Sequence, residues 1–445
     1  MATLTRTLIR DTLAQTGKKV RLKGWINRKR DHGQVVFLDL RDRSGIVQLV
    51  GGKELKPLRL QDVVEVWGIV QRRPENLVNP HLATGTIEIA VEKIDRLAAA
   101  ASLPFDLGQE ELKLELPTLF NFRPLTLRHP RVKAIFKVQE VLVQAFRRKL
   151  KELDFTEVQV PTLVPSATEG GAEVFPVTYY EHQVYLAQSP QLYKQILVSI
   201  FERVFTVAHA YRAEPSVTTR HLSEYVSLDC EMGFIDDWTD LLAVAEELIR
   251  ALLKAVEENC TDELELYRVQ LPRLGQKIPR LSFPQALEIL SQRRGIDKSK
   301  ALDLEPEDER ELCRWSWEEK GSDFVFITHY PKAKRPFYTY LDPQNPELTL
   351  SFDLLGRGFE WITGGQRIHQ YQELKKRIEE AGNKLEDFSL YLQAFKYGMP
   401  PEGGFALGLE RATQGILQLS NIREASLFPR DMERVDIHLP SRKSN

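Results

Sequence analysis

The hydrophobic period of this chain changes once, near residue 100, and that change limits what each half can fold into. Before it, residues 20–26 and 35–40 alternate apolar and polar side chains. Residues 42–45 read as a turn, and 46–50, 63–70 and 86–94 supply three more short strands. Successive side chains of a strand point to opposite faces, so a period of two marks half-buried sheet. Five such strands within the first 100 residues predict a small β-barrel. After the change, Ile135, Val138, Val141, Leu142, Phe146, Leu150 and Leu153 recur at helical spacing. The expected organisation is a barrel over 1–104, a polar hinge over 105–130 and a second domain over 131–445.

From Phe155 onward strands and helices mix without regular βαβ alternation. That predicts an α+β domain on an antiparallel sheet. The acidic stretch 305–311, inside residues 280–330, reads as a solvated helical insertion without a functional role. A net charge of −2 gives no general attraction to polyanions, so any nucleic-acid contact must use local patches. The three cysteines, Cys230, Cys260 and Cys313, form no Cys-x-x-Cys pair. Neither a disulfide framework nor a zinc site is expected, and a reducing, cytoplasmic setting fits. No apolar run approaches the ~18 residues of a membrane span, and residues 1–10 lack the apolar segment of a secretion signal.

Four blocks carry the chemistry. Tyr225, Ser227, Asp229 and Glu231 share one face of a strand, after a loop containing Arg212, Glu214, Arg220 and His221. An aromatic plane can stack on a base, a carboxylate can hold an amino group, and the loop arginines can hold phosphates. A second block sets Asp353 and Glu360 beside Thr363 and Arg367, oxygen ligands of the kind Mg²⁺ takes together with phosphates. In a third, Pro190 stands at a first helical turn and puts Gln191 and Lys194 on one face. The fourth is Gly404-Phe405-Ala406-Leu407-Gly408-Leu409-Glu410-Arg411, a Gly-spaced strand running into a helix with a guanidinium at its start. There is no Walker lysine and no Gly-x-Gly-x-x-Gly after a strand, so a different nucleotide fold is required.

The order of a long helix and strand ending at Pro161, then Tyr-Arg-Ala-Glu, then Gly-x-x-x-Gly-x-Glu-Arg resembles the three motifs of class II aminoacyl-tRNA synthetases. The strings at 167–173, 188–195, 365–369 and 428–431 resemble those of aspartyl-tRNA synthetases, and the likeness runs from about residue 18 to Asp431. It implies an ATP-dependent aspartate–tRNA ligase, a homodimer, with ATP and Mg²⁺ as cofactors. Its partners are L-aspartate and tRNA(Asp), with tRNA(Asn) as a second candidate acceptor. Carried over residue by residue, Arg212 and Arg411 would be catalytic at the α- and γ-phosphates. Glu214, Arg220, His221, Tyr225, Glu360 and Gly408 would complete the ATP site. Asp353, Glu360 and Thr363 match metal positions. Glu169, Gln191, Lys194, Asp229, Thr363 and Arg367 match the amino-acid site, with Lys194 and Arg367 on the side-chain carboxylate. The barrel resembles an anticodon-binding oligonucleotide-binding fold, with Phe37 to stack on a base and Arg30, Gln48 and Glu88 to read edges or backbone.

Several positions depart from the family pattern. The chain has no room for the large domain that bacterial aspartyl enzymes carry between the second and third motifs, so its second half looks archaeal or eukaryotic while its barrel looks bacterial. Glu402 stands where a His is frequent, and Ala406 where a Gly is usual. Asn27 stands where compact enzymes that separate the two tRNAs often carry an aromatic, which favours relaxed tRNA choice. Three other readings compete. For an asparaginyl enzyme on the same fold, a buried Lys194 would be left unpaired by a neutral amide. A paralogue that makes adenylate without charging tRNA has no use for Phe37, Gln48 and Glu88. A nucleic-acid-binding module with a dead core would not need Arg212, Glu360 and Arg411.

Overall fold

The computed structural model describes residues 4–165, 174–214 and 218–439, which divide into two compact units at Leu112/Lys113. The first is a closed barrel of β1 (Lys19–Asp31), β2 (Val36–Arg41), β3 (Ile46–Gly51), β4 (Val63–Arg72) and β5 (Ile87–Ala98), in the order β1-β2-β3-β5-β4. Its interior follows the two-residue period: Val20, Leu22 and Ile26 of β1 meet Val36, Leu38 and Leu40 of β2 and Val64, Val66 and Val70 of β4.

The second unit holds an eight-stranded sheet ordered β12-β13-β14-β15-β16-β11-β10-β6. In chain order its elements are α1 (Leu116–Asn121), α2 (Arg123–Thr126), α3 (Pro130–Glu152), β6 (Thr156–Glu157), β7 (Leu163–Val164), β8 (Pro176–Tyr179), β9 (His182–Leu186), α4 (Gln191–Phe201), β10 (Arg203–Tyr211), β11 (Glu224–Gly233), α5 (Thr239–Asn259), α6 (Thr261–Tyr267), β12 (Arg280–Ser282), α7 (Phe283–Arg294), α8 (Pro306–Lys320), β13 (Phe324–Thr328), β14 (Ser351–Gly356), β15 (Phe359–Gln366), α9 (Tyr371–Glu380), α10 (Ser389–Lys396), β16 (Glu402–Gly408) and α11 (Leu409–Leu417). The six strands from β13 to β10 pair antiparallel, while β12 and β6 join the two edges in parallel. β7, β9 and β8 form a separate small sheet.

The two faces of the large sheet differ because β11 and β16 alternate. Leu228, Cys230 and Met232, with Phe405 and Leu407, point into the main core, where α3 and α5 lay down Ile135, Val138, Leu142, Phe146, Leu248, Ile249 and Leu252. Ser227, Asp229 and Glu231 point the other way. α3 begins at Pro130, which fits the first helical turn because its missing N–H is not needed there.

Two expectations change. Residues 116–126 are helical rather than hinge, and Arg123 ties them to the C-terminal segment by donating to the carbonyls of Glu424, Ser426 and Leu427. Residues 280–330 are not merely a solvated insertion. β12 and β13 extend the main sheet, and Leu287, Leu290 and Leu312 pack against Val325 and Ile327 in a core of their own. Among the described residues no helix is long and apolar enough to cross a membrane.

Gly404 sits opposite Glu231 in the β11–β16 register. A Cβ there would run into the Cys230 carbonyl oxygen and the Glu231 carboxylate, so this glycine makes room for a buried acid. Neither neighbour can yield, one being backbone and the other held by ion pairs. Gly404→Ala is expected to destabilise the second unit by about 1–3 kcal/mol, the usual cost of overpacking, read as a lower urea midpoint at unchanged slope.

Candidate active site

The polar face of the sheet opens into a cavity of about 300 Å³. β10 and β11 bring Arg212 and Tyr225 to one side of it, and the guanidinium of Arg212 lies 5.5 Å from the Tyr225 ring centroid. β15 supplies Glu360 and Thr363. The β16–α11 junction supplies Gly408, Glu410 and Arg411. Arg411 Nη1 donates to Glu360 Oε1 at 2.9 Å, so a cation and a carboxylate face each other across the cavity wall. Burial raises the Glu360 pKa, partly offset by Arg411. Glu214 stands 3.5 Å from His221 Nε2, and Thr218 Oγ1 lies 2.6 Å from His221 Nδ1. Burial lowers the His221 pKa, so the ring is predominantly neutral at pH 7.

At the inner end, α4 presses Lys194 against β11. Its ammonium is fully buried, 2.8 Å from Asp229 Oδ2 and 3.2 Å from Glu231 Oε2. Burial opposes the charge, but the two carboxylates outweigh it and the Lys194 pKa rises. Arg367, just past β15, donates through Nε to Glu231 Oε1 at 2.7 Å and through Nη2 to the Gly404 carbonyl at 3.0 Å. Its Nη2 is also 3.5 Å from Gln191 Oε1. Ser227 Oγ donates to Asp229. The result is an alternating array of Asp229, Lys194, Glu231 and Arg367, with Asp229, Arg367 and Gln191 lining the cavity and Lys194 behind them.

The residues expected from the sequence therefore converge, with qualifications. Glu169 lies outside the described residues. Lys194 reaches the cavity through Asp229 rather than directly. Asp353 is held by Arg335, whose Nη2 donates to Asp353 Oδ2 at 2.8 Å and whose Nη1 donates to Thr363 Oγ1 at 3.1 Å. Arg335 lies on an irregular segment before β14, where no period marks it. Arg220 donates to Glu309 Oε2 of α8 at 2.7 Å and to the Gly358 carbonyl at 3.1 Å. Burial and the nearby Glu360 push the Glu309 carboxyl up to about 7. The stretch read as functionless thus touches a loop arginine of the site. Of the two spaced glycines, Gly404 packs on β11 and Gly408 lines the cavity.

On the barrel, the four expected residues join into one patch. Arg30 Nη2 donates to Gln48 Oε1 at 2.9 Å and to Asp39 Oδ1 at 3.0 Å, and Gln48 Nε2 donates to Glu88 Oε2 at 2.9 Å. The half-buried Phe37 ring lies 6.0 Å from the Arg30 guanidinium. Asp39, absent from the expectation, is half of the anchor that fixes Arg30.

A family model described as tRNA synthetases class II (D, K and N) matches residues 115–432, and one described as an OB-fold nucleic acid binding domain matches residues 20–97. The chain is a class II tRNA synthetase of the D, K and N group. An aspartate–tRNA(Asp/Asn) ligase of Thermus thermophilus is 44% identical over 431 residues, covering 97% of this synthetase and 99% of the relative. An aspartate–tRNA(Asp) ligase of Pyrococcus abyssi is 39% identical, covering 94% and 96%. The crystal structure of asparaginyl-tRNA synthetase from Pyrococcus horikoshii with asparaginyl-adenylate superposes with a TM-score of 0.88 at 34% identity, covering 97% of this chain and all of that one. Class II synthetases use ATP, and the cavity carries the arginines and the aromatic that a nucleotide needs.

The Arg220–Glu309 pair orients a cation beside this cavity. Glu309→Ala is expected to raise KM for ATP about tenfold, or about 1.4 kcal/mol, and to leave KM for the amino acid within a factor of two. An ATP titration of pyrophosphate exchange checks both.

Proposed function

We propose that this synthetase attaches L-aspartate to tRNA(Asp) and tRNA(Asn) through an aspartyl-adenylate. One observation carries the choice of amino acid. The inner end of the cavity is walled by Arg367 and backed by Lys194; both are already paired inside the protein, and a substrate side-chain carboxylate gains a charge-assisted pair with the Arg367 guanidinium at the cavity wall that a neutral amide does not. The names of the 44% and 39% identical relatives support the same amino acid. The structural likeness to an asparaginyl enzyme keeps that activity as the competing reading.

In the first step an α-carboxylate oxygen of aspartate attacks the α-phosphorus of ATP. The bond from that phosphorus to the bridging oxygen breaks and pyrophosphate leaves. Arg212 and Arg411, both lining the cavity, stabilise the charge gathered on the phosphates, while Tyr225 stacks on the adenine beside Glu214 and His221. Gly408 leaves the cavity edge beside Arg411 open. Asp229 draws the substrate ammonium and Gln191 lines the same end. In the second step the 3′-terminal ribose hydroxyl of the tRNA attacks the adenylate carbonyl and AMP leaves.

The residues fit a magnesium ion. Asp353 Oδ1 is buried without a donor and Glu360 faces the cavity, with Thr363 between them on the sheet. Among the described residues no three His, Cys, Asp or Glu side chains cluster for a metal, which suits an ion held largely by phosphate oxygens. Such an ion, when bound, neutralises phosphate charge in the transition state.

On the barrel, Phe37 offers a stacking plane for an anticodon base, while Arg30, Gln48 and Glu88 present a fixed hydrogen-bonding edge. Relaxed tRNA choice rests on the Asp/Asn names of relatives at 41–44% identity and on Asn27. The working unit is a homodimer, and full activity of a monomer at micromolar concentration overturns that part.

Arg212→Ala and Arg411→Ala are each expected to lose at least about 3 kcal/mol of transition-state stabilisation, the scale of one oriented donor, measured as single-turnover adenylate formation. Parallel charging of tRNA(Asp) and tRNA(Asn) transcripts with aspartate tests the acceptor range. Comparable yields are expected, and charging of tRNA(Asp) alone overturns the relaxed choice.

A further inference from the structure

Glu402 opens β16 with its side chain fully buried. Gln195 Nε2 donates to its Oε1 at 2.7 Å, and the Gln195 amide is held in that orientation because its own Oε1 accepts from the Tyr391 hydroxyl at 3.1 Å. The Glu402 backbone carbonyl accepts from Arg367 N at 2.9 Å. Its second carboxyl oxygen, Oε2, is buried without a donor, and the acid beside it is Glu231.

A charge count decides what this group must be. Lys194 and Arg367 supply two buried cations, and Asp229 and Glu231 already balance them. A third buried anion would have no partner, a situation costly enough that such groups take up a proton instead. Two carboxyls within reach of each other share one proton. Burial and Glu231 push the Glu402 pKa well above the usual carboxylate range. Glu231, although burial opposes its charge, is held below that range by Arg367 and Lys194. The proton therefore resides on Glu402.

We propose that Glu402 is a positioning residue for the amino-acid pocket: as a neutral acid it donates to Glu231 and keeps that carboxylate turned toward Lys194 and Arg367. The proposal rests on the reading that Arg367, backed by Lys194, receives the substrate carboxylate. The titratable and charged groups that face Glu402 are Glu231 from β11, Arg367 after β15 and Tyr391 from α10, with the Gln195 amide from α4 beside them. When Glu402 loses its proton, a second negative charge stands against Glu231, cancels part of the positive field of Arg367 and weakens substrate binding. Affinity for aspartate thus falls as pH rises through the Glu402 titration.

Glu402→Gln replaces the acid with an amide that donates to Glu231 and still accepts from Gln195, but does not titrate. Glu402→Leu removes both functions. Aspartate-dependent pyrophosphate exchange from pH 7 to 10 reads the outcome. At pH 7 the Gln variant is expected within twofold of the wild-type KM for aspartate, while the Leu variant raises it at least tenfold with KM for ATP unmoved. Any alkaline rise in the wild-type KM beyond that of the Gln variant is the Glu402 titration, since ionisation of the substrate's own ammonium is common to both. A Leu variant with wild-type KM overturns the proposal, as does a Gln variant impaired as severely as Leu. If the Leu variant does not fold, the Gln variant alone decides: a KM raised tenfold at pH 7 overturns the proposal, and a wild-type KM supports it. Absence of aspartate-dependent exchange in the wild-type protein is a different result, and it overturns the aspartate reading itself.

Discussion

Two cations and two carboxylates buried together on one face of β11 are the constraint to which the rest of the second unit conforms. Burial of a single unpaired charge costs several kcal/mol, so Lys194, Asp229, Glu231 and Arg367 are tolerable only as a set. Each comes from a different place: α4 for the lysine, β11 for the acids, the end of β15 for the arginine. The set therefore fixes the register of β11 against β16 and the seating of α4. Gly404 is required because the Glu231 carboxylate occupies the space a side chain would take, and Gln195 and Tyr391 close the far side.

The same array links fold to chemistry. One face of the sheet is apolar, packed by α3 and α5, and supplies rigidity. The other places charges whose directions were set during folding, so little reorganisation is needed when a substrate carboxylate and a triphosphate arrive. Nucleotide and amino-acid ends share β11: Tyr225 marks one end and Asp229 the other, separated by the strand's own two-residue repeat.

Much of this was legible in the sequence because strand alternation is a local rule. Tyr225, Ser227, Asp229 and Glu231 could be assigned to one face from spacing alone, and the structure keeps them there. The barrel strands were legible for the same reason. What spacing could not convey were partners distant along the chain. Arg335 meets Asp353 and Thr363 through an irregular segment, and Glu309 meets Arg220 because β12 and β13 extend the sheet and bring α8 to the cavity. An acidic helix read by itself looks solvated. The stretch 116–126 misled similarly, since its helices depend on Arg123 reaching carbonyls some 300 residues away in sequence.

The most direct test of the central claim is amino-acid-dependent ATP–pyrophosphate exchange without tRNA, with aspartate and asparagine compared at equal concentration. The buried charge array predicts robust exchange with aspartate and at least a hundredfold lower kcat/KM with asparagine, corresponding to about 2.7 kcal/mol of discrimination. Equal or preferred use of asparagine would contradict the account, because the Arg367 guanidinium at the cavity wall would then not be selecting a side-chain carboxylate.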